Sequence, residues 1–207
     1  MADTKFPVNE SLTNYSYADI ATGTGYQTYY AGACYHTAAA IVYALSDIIF
    51  YSNPIASSNA ASLDIDFDFL VNRPLNISGN AIINIPISIN YSNPDPSGTW
   101  TITPTAKIRK WDGTTETDIA SQEGYTFTGV YYDKGTSYGY AAIKLVVPLT
   151  HFKRGDYIRL TILVTGTAPT KQSVSLAHDP MARTTGWDTS DTNPSRLSIQ
   201  LPFKIPV

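Results

Sequence analysis

Apolar and polar residues alternate with a period of two along much of this chain. The clearest stretch places Leu63, Ile65, Phe67, Phe69 and Val71 on one face and Asp64, Asp66 and Asp68 on the other. Because successive side chains of a strand point to opposite faces, this pattern predicts a strand with one buried and one wet side. Ile83, Ile85, Ile87 and Ile89 repeat it, as do Ile143, Leu145 and Val147, and then Ile158, Leu160, Ile162 and Val164. Strands of this kind fill the gap of ~10 Å between two packed sheets.

Short runs rich in β-branched and aromatic residues, bounded by Gly, Pro, Asn, Asp and Ser, predict strands near 26–34, 40–51, 63–71, 77–91, 99–111, 125–132, 138–149, 156–165, 172–177 and 196–205. Residues Ala38 to Leu45 also fit a short helix. However, Ile41-Val42-Tyr43 and Ile48-Ile49-Phe50-Tyr51 favour strands with a turn at Ser46-Asp47. Pro86, Pro148 and Pro202 fall within or at the ends of strand patterns, so each is expected at an edge, a bulge or a terminus, where a missing N–H is tolerated. No repeat of fixed period is visible, which argues against propellers and solenoids.

These elements predict an all-β protein, an antiparallel two-sheet β-sandwich. A jelly roll is the first choice because it accommodates long corner loops such as 91–98, 111–125 and 165–196. Residues 1–25 lack periodicity and are read as an extended N-terminal arm, followed by one β-sandwich domain over 26–207. The last strand pattern, Arg196 to Ile205, is expected to lie inside the sheet.

Composition narrows the classes of partner. In 207 residues, 15% are charged and the net charge is -3, so Ser, Thr, Asn and Tyr build the surface. The 14 Lys and Arg residues are scattered rather than striped, which argues against nucleic acid. The start has no signal-peptide pattern, and no apolar run approaches the ~20 residues that span a bilayer. Folding in a cytoplasm without membrane contact is therefore expected, and Asn9, Asn14, Asn76 and Asn90, which head Asn-x-Ser triplets, are read as composition rather than glycosylation. The single Cys34 excludes an intrachain disulfide and is expected to be buried.

Candidate chemistry is sparse. Asp64, Asp66 and Asp68 project from one strand face about 7 Å apart, too straight a row to enclose Ca²⁺ unless a loop folds over them. They read as a solvated face. His36, His151 and His178 are far apart and form no ligand pair. In His178-Asp179-Pro180 the acid adjoins the imidazole, but no nucleophile completes a triad, and Asp179 is expected to bond backbone N–H groups. Gly23-Thr24-Gly25 lacks the third glycine of a dinucleotide fingerprint, since Thr28 stands there. Arg154-Gly155-Asp156 precedes a strand and reads as a turn rather than an adhesion motif. A hydrolase would need paired carboxylates, for which Asp64, Asp66, Glu116 and Glu123 are the candidates. No catalytic, cofactor or metal residue is assigned, and an enzyme is not expected.

Aromatic residues are the remaining surface resource, with 15 Tyr and 3 Trp. Tyr29-Tyr30, Tyr131-Tyr132 and Tyr138-x-Tyr140 place rings on both strand faces, so some are expected to point outward. Trp111 and Trp187 are the expected exposed tryptophans, and they support an alternative reading as a carbohydrate-binding module.

The segments Tyr15 to Tyr26, Phe152 to Leu160, and His178-Asp179-Pro180 with Leu197 to Ile205 together resemble small accessory or decoration proteins of tailed double-stranded DNA viruses of microbes. The resemblance implies a virion structural protein, a bacteriophage-type capsid decoration subunit on the capsid exterior, assembled in the host cytoplasm. Its implied partners are the major capsid protein or other virion proteins and further copies of itself, a trimer being an arrangement such modules often take. Residues 1–25 would then bind a neighbouring subunit.

Overall fold

A computed structural model describes residues 13–14, 24–36, 40–49, 55–58, 62–91, 99–130, 135–167, 172–183 and 195–204. Within them the chain forms β1 (Thr13–Asn14), β2 (Thr24–His36), β3 (Ala40–Ser46), β4 (Ile55–Ser58), β5 (Ser62–Leu70), β6 (Leu75–Tyr91) and β7 (Thr99–Trp111). There follow β8 (Glu116–Glu123), β9 (Phe127–Val130), β10 (Gly135–Phe152), β11 (Tyr157–Thr167), β12 (Gln172–Ala177) and β13 (Ser198–Lys204).

Hydrogen bonds link the strands in the order β4-β12-β6-β13-β2-β3-β5-β11-β7-β8, with β10 on β6, β9 on β7 and β1 on β2. Every pairing is antiparallel except the single bridge between Ala44 and Asp68, where β3 meets β5. One bridge is a weak seam, and the network folds there into two layers. The layers share a single core. From β6 it takes Ile77, Ile83, Ile85, Ile87 and Ile89, and opposite them stand Phe67, Ile108, Ile158, Leu160 and Ile162, each at most 2% exposed. Burying an aliphatic side chain of this size stabilises by ~1.5–3 kcal/mol, so the alternation along the strands is what holds the sandwich together.

The protein is an all-β sandwich, and β13 lies between β2 and β6, inside the sheet as its pattern predicts. The strand order does not establish the jelly roll. The residues of β3 are extended rather than helical, and the expected turn follows at Ser46, whose hydroxyl accepts the Ile48 N–H at 3.2 Å.

Each proline marks an interruption of the ladder. Along one side of β6, pairing with β13 ends at Asn84 and pairing with β12 begins at Ile87. Pro86 sits between the two, where no N–H is required. Pro148 occupies the bulge between Val147 and Thr150 in β10, and Pro202 the irregularity between Gln200 and Phe203 in β13. Gly79 packs against that last site: its φ of 128° is open to glycine, and a Cβ there would meet Pro202 at 3.3 Å.

Two expectations are corrected. Residues 111–125 are not a loop: β8 pairs with β7 from Glu116 to Glu123. Its pattern is weak because six of its eight positions are exposed and only Ile119 and Ala120 pack against the core, the rest being held by backbone pairing and ion pairs. The N-terminal segment is not wholly an outreaching arm, since Thr13 and Asn14 pair with Gln27 and Tyr26 of the same chain. The other residues of 1–23 lie outside the described part.

Candidate functional site

Two places gather polar side chains. The first is the outer face of β5, β11, β7 and β8, where cross-strand register sets Arg159 opposite Asp68 on one side and Arg109 on the other. Arg159 donates from Nε and Nη2 to the two oxygens of Asp68 at 2.7 and 2.8 Å. Its Nη1 donates to Glu116 at 2.8 Å and stands 3.5 Å from Asp66. Arg109 completes the lattice with Glu116 at 3.0 Å and Asp118 at 2.8 Å. Hydrogen bonding to Asp68 first, and then to Glu116, raises the Arg159 pKa and fixes its charge.

The lattice brings together three of the predicted acids, Asp66, Asp68 and Glu116, around one guanidinium. Asp64 stays exposed beyond it, and Glu123 pairs with Thr105 near the far end of β8. Glu116 is thus held by both arginines at once. No cluster of three or more metal-ligating side chains occurs among the described residues. Trp111 is half-buried, with the Arg159 guanidinium 5.4 Å above its ring, so it is not the open stacking platform expected. Trp187 lies outside the described residues.

The remaining candidates are structural. Asp179 is fully buried and accepts the N–H groups of Met181 at 3.2 Å and Arg183 at 2.8 Å, while the Arg183 side chain pairs with it at 2.9 Å. This confirms the loop role read from the sequence. The His178 ring is buried against Tyr43 and Phe67. His151 is exposed and hydrogen-bonds the Asn76 side chain at 2.8 Å. Arg154-Gly155-Asp156 forms the expected turn, with Gly155 at φ 94°. Asp156 accepts the Lys110 ammonium at 2.8 Å and the Lys153 N–H at 2.7 Å, contacts that hold its carboxyl below the usual range. The side chains of Cys34 and His36, together with Gly23, Tyr131 and Tyr132, lie outside the described part.

Of the tyrosines expected to supply some outward rings, Tyr140 is exposed at 46%, whereas Tyr29 and Tyr30 are both buried, at 4% and 5%. Tyr30 is on the outer face, but the Arg196 guanidinium lies 5.3 Å over its ring. Tyr29 leads to the second polar place, a cavity of about 450 Å³ at one end of the sandwich. Its floor is made by Tyr29, Ile77, Ile158 and Leu201. Its rim carries Gln27, Arg73 and Lys204. These residues come from β2, the β5–β6 turn and β13, too scattered in sequence to be read as one site.

The architecture defines a β-sandwich of a kind also present in larger enzymes. No family model matches the chain, nor does any curated protein. Among solved structures, a CocE/NonD family hydrolase from Staphylococcus aureus matches 88% of this chain with 13% identity and a TM-score of 0.54. The chain spans 37% of the length of that hydrolase. An aminopeptidase from a marine sediment Thaumarchaeota archaeon matches 86% of the chain at 11% identity and TM-score 0.47, over 37% of its own length. An infectious bursal disease virus structure matches 94% of the chain at 7% identity and TM-score 0.28, over 53% of its own length, too low a score to bear on a capsid role. The expectation that this chain stands apart from enzymes is overturned by the hydrolase likeness. Sparse catalytic chemistry in a β-sandwich had been taken to place the chain outside enzymes, but a sandwich of this form makes up part of a hydrolase. At this identity the likeness shows fold alone.

Proposed function

We propose that this chain is a β-sandwich association module, and specifically an accessory subunit that docks on a viral capsid lattice and on further copies of itself. The observation that carries association is the outer face of β6 and β10. Val146 is 73% exposed, Leu149 70%, Tyr140 46% and Ile82 39%, all on this one strand pair. Cross-strand register sets Ile82 beside Lys144, so Ile82 and Val146 are neighbours on that face. Apolar groups gathered in this way, and left in water, mark an interaction surface. Among the described strands β10 is hydrogen-bonded to β6 alone, and its outer edge is a further surface for a partner. The capsid as destination rests on the sequence resemblance of the N-terminal, Phe152 to Leu160 and C-terminal segments.

The test is the mass of the purified chain in solution, measured beside its presence in purified virus particles. An oligomer that dissociates in Val146→Lys, with unchanged thermal melting, supports association through this face. Presence in particles supports the capsid assignment. A monomer at about 100 µM, well above the Kd of a functional interface, that is also absent from particles overturns both.

A further inference from the structure

We propose that the β6–β10 face is occupied by a second copy of this chain, docked front to back, so that this face of one copy lies on the outer face of β5, β11, β7 and β8 of the next. The arrangement rests on the association reading and names the surface that association uses. In the layer that holds β6 and β10, no strand carries an aspartate or glutamate, and the only Lys or Arg residues are Lys144 and Lys204. Lys204 has a partner of its own. Lys144 stands exposed beside Ile82, within the apolar patch. Asp47 and Asp179, on loops that adjoin this layer, are engaged by Gln27 and Arg183.

The other layer has the opposite balance. Its outer face carries Asp64, Asp66, Asp68, Glu116, Asp118 and Glu123 against Lys107, Arg109 and Arg159, so it is net negative. Arg109 and Arg159 hold Asp66, Asp68, Glu116 and Asp118. Asp64 and Glu123 are exposed and pair with no cation among the described residues. They end one cross-strand row, in which Leu163 and Thr105 stand half-buried between them. At one strand spacing and two, the carboxylates lie ~5 and ~10 Å from Leu163. With Val146 set over Leu163, Lys144 is ~7 Å along β10, within reach of either carboxylate.

Charge decides the arrangement. A two-fold pairing of two β6–β10 faces would bring each Lys144 towards the other with no carboxylate on either sheet to offset them. Front-to-back docking matches that cation to Asp64 or Glu123. It is a heterologous contact, which adds copies one after another unless the rotation closes a ring. The wild type should therefore grow beyond a dimer as its concentration rises, and grow less as added salt screens the charges.

Sedimentation velocity of the full chain at about 10–100 µM tests this with Val146→Lys, which disables the front, and with the double variant Asp64→Lys, Glu123→Lys, which reverses the back. Each variant alone should be monomeric, with its Kd raised at least about tenfold. An equimolar mixture of the two should give a one-to-one complex and nothing larger. Only the intact front of the double variant can dock there, on the intact back of Val146→Lys. That complex also shows the double variant to be folded. If the double variant melts early, Asp64→Asn with Glu123→Gln takes its place and should weaken association about threefold; an unchanged Kd in it overturns the proposal. An oligomer that persists in the double variant while Val146→Lys is monomeric overturns the front-to-back arrangement and leaves association through this face standing. A mixture of folded variants that stays monomeric overturns it too, as does a wild type that stops at a dimer or is itself a monomer.

Discussion

Acidification should weaken this fold through one side chain, His178. The residue is 1% exposed, and its ring packs edge-on against Tyr43 and Phe67 with centroids 5.5 and 5.7 Å away. Burial disfavours the imidazolium and lowers the pKa from 6.5 to about 4, against the smaller opposing pull of Asp179. The unfolded chain takes up its proton near pH 6.5, whereas the folded chain resists until about pH 4. Between those values the unfolded state holds more protons, so stability falls as pH falls. At ~1.4 kcal/mol per pH unit, the span from 6.5 to about 4 makes the whole loss about 3 kcal/mol. About 2 kcal/mol of it falls between pH 7 and pH 5. Urea denaturation of the wild type and His178→Leu at those two pH values measures the difference. The fixed cost of the substitution cancels, as do the carboxylates common to both proteins. Wild type should lose about 2 kcal/mol more than the variant. Losses equal to within about 0.5 kcal/mol would mean that His178 is not held neutral by burial.

Arg159→Met removes the cation shared by Asp66, Asp68 and Glu116. The carboxylates are partly solvated, so urea denaturation should show a loss of about 1–3 kcal/mol rather than the larger cost of a fully buried pair. Gly129→Ala would drive a Cβ into the buried Trp100 ring. A loss of about 1–3 kcal/mol is expected, and it should shrink in a Trp100→Ala background if the ring contact is its cause. Val146→Lys changes an exposed position and should move stability by less than about 0.5 kcal/mol, so any change in solution mass reports on association alone.

The parts of the fold that were legible in the sequence are those in which burial and strand periodicity coincide. Ile83, Ile85, Ile87 and Ile89 face the core because an antiparallel strand with one wet side must alternate, and no neighbour is needed to deduce it. Pro86 was legible as an interruption for an equally local reason, its missing N–H. What it interrupts was not, because the exchange of β13 for β12 depends on segments about 90 to 110 residues away. β8 was hidden because Glu116 to Glu123 offers only Ile119 and Ala120 to the core, too few to show a period of two. Its stability comes from Arg109 and Arg159, which stand on other strands.

The same limit explains why the two polar places could not be told apart beforehand. Asp66, Asp68 and Glu116 were candidates because they are carboxylates, and Tyr29 because it is aromatic, but residue type does not say whether a polar group is already satisfied. Register decides that. It sets Arg159 beside Asp68, so Asp66 and Asp68 of β5 spend their hydrogen-bonding capacity within the protein. It turns Tyr29 inward beside Ile199, at a point where the β5–β6 turn carries Arg73 to the mouth of the same cavity. The conspicuous charges thus stabilise the sheet. Asp66 and Asp68, on the acidic face of β5, are therefore assigned to the fold.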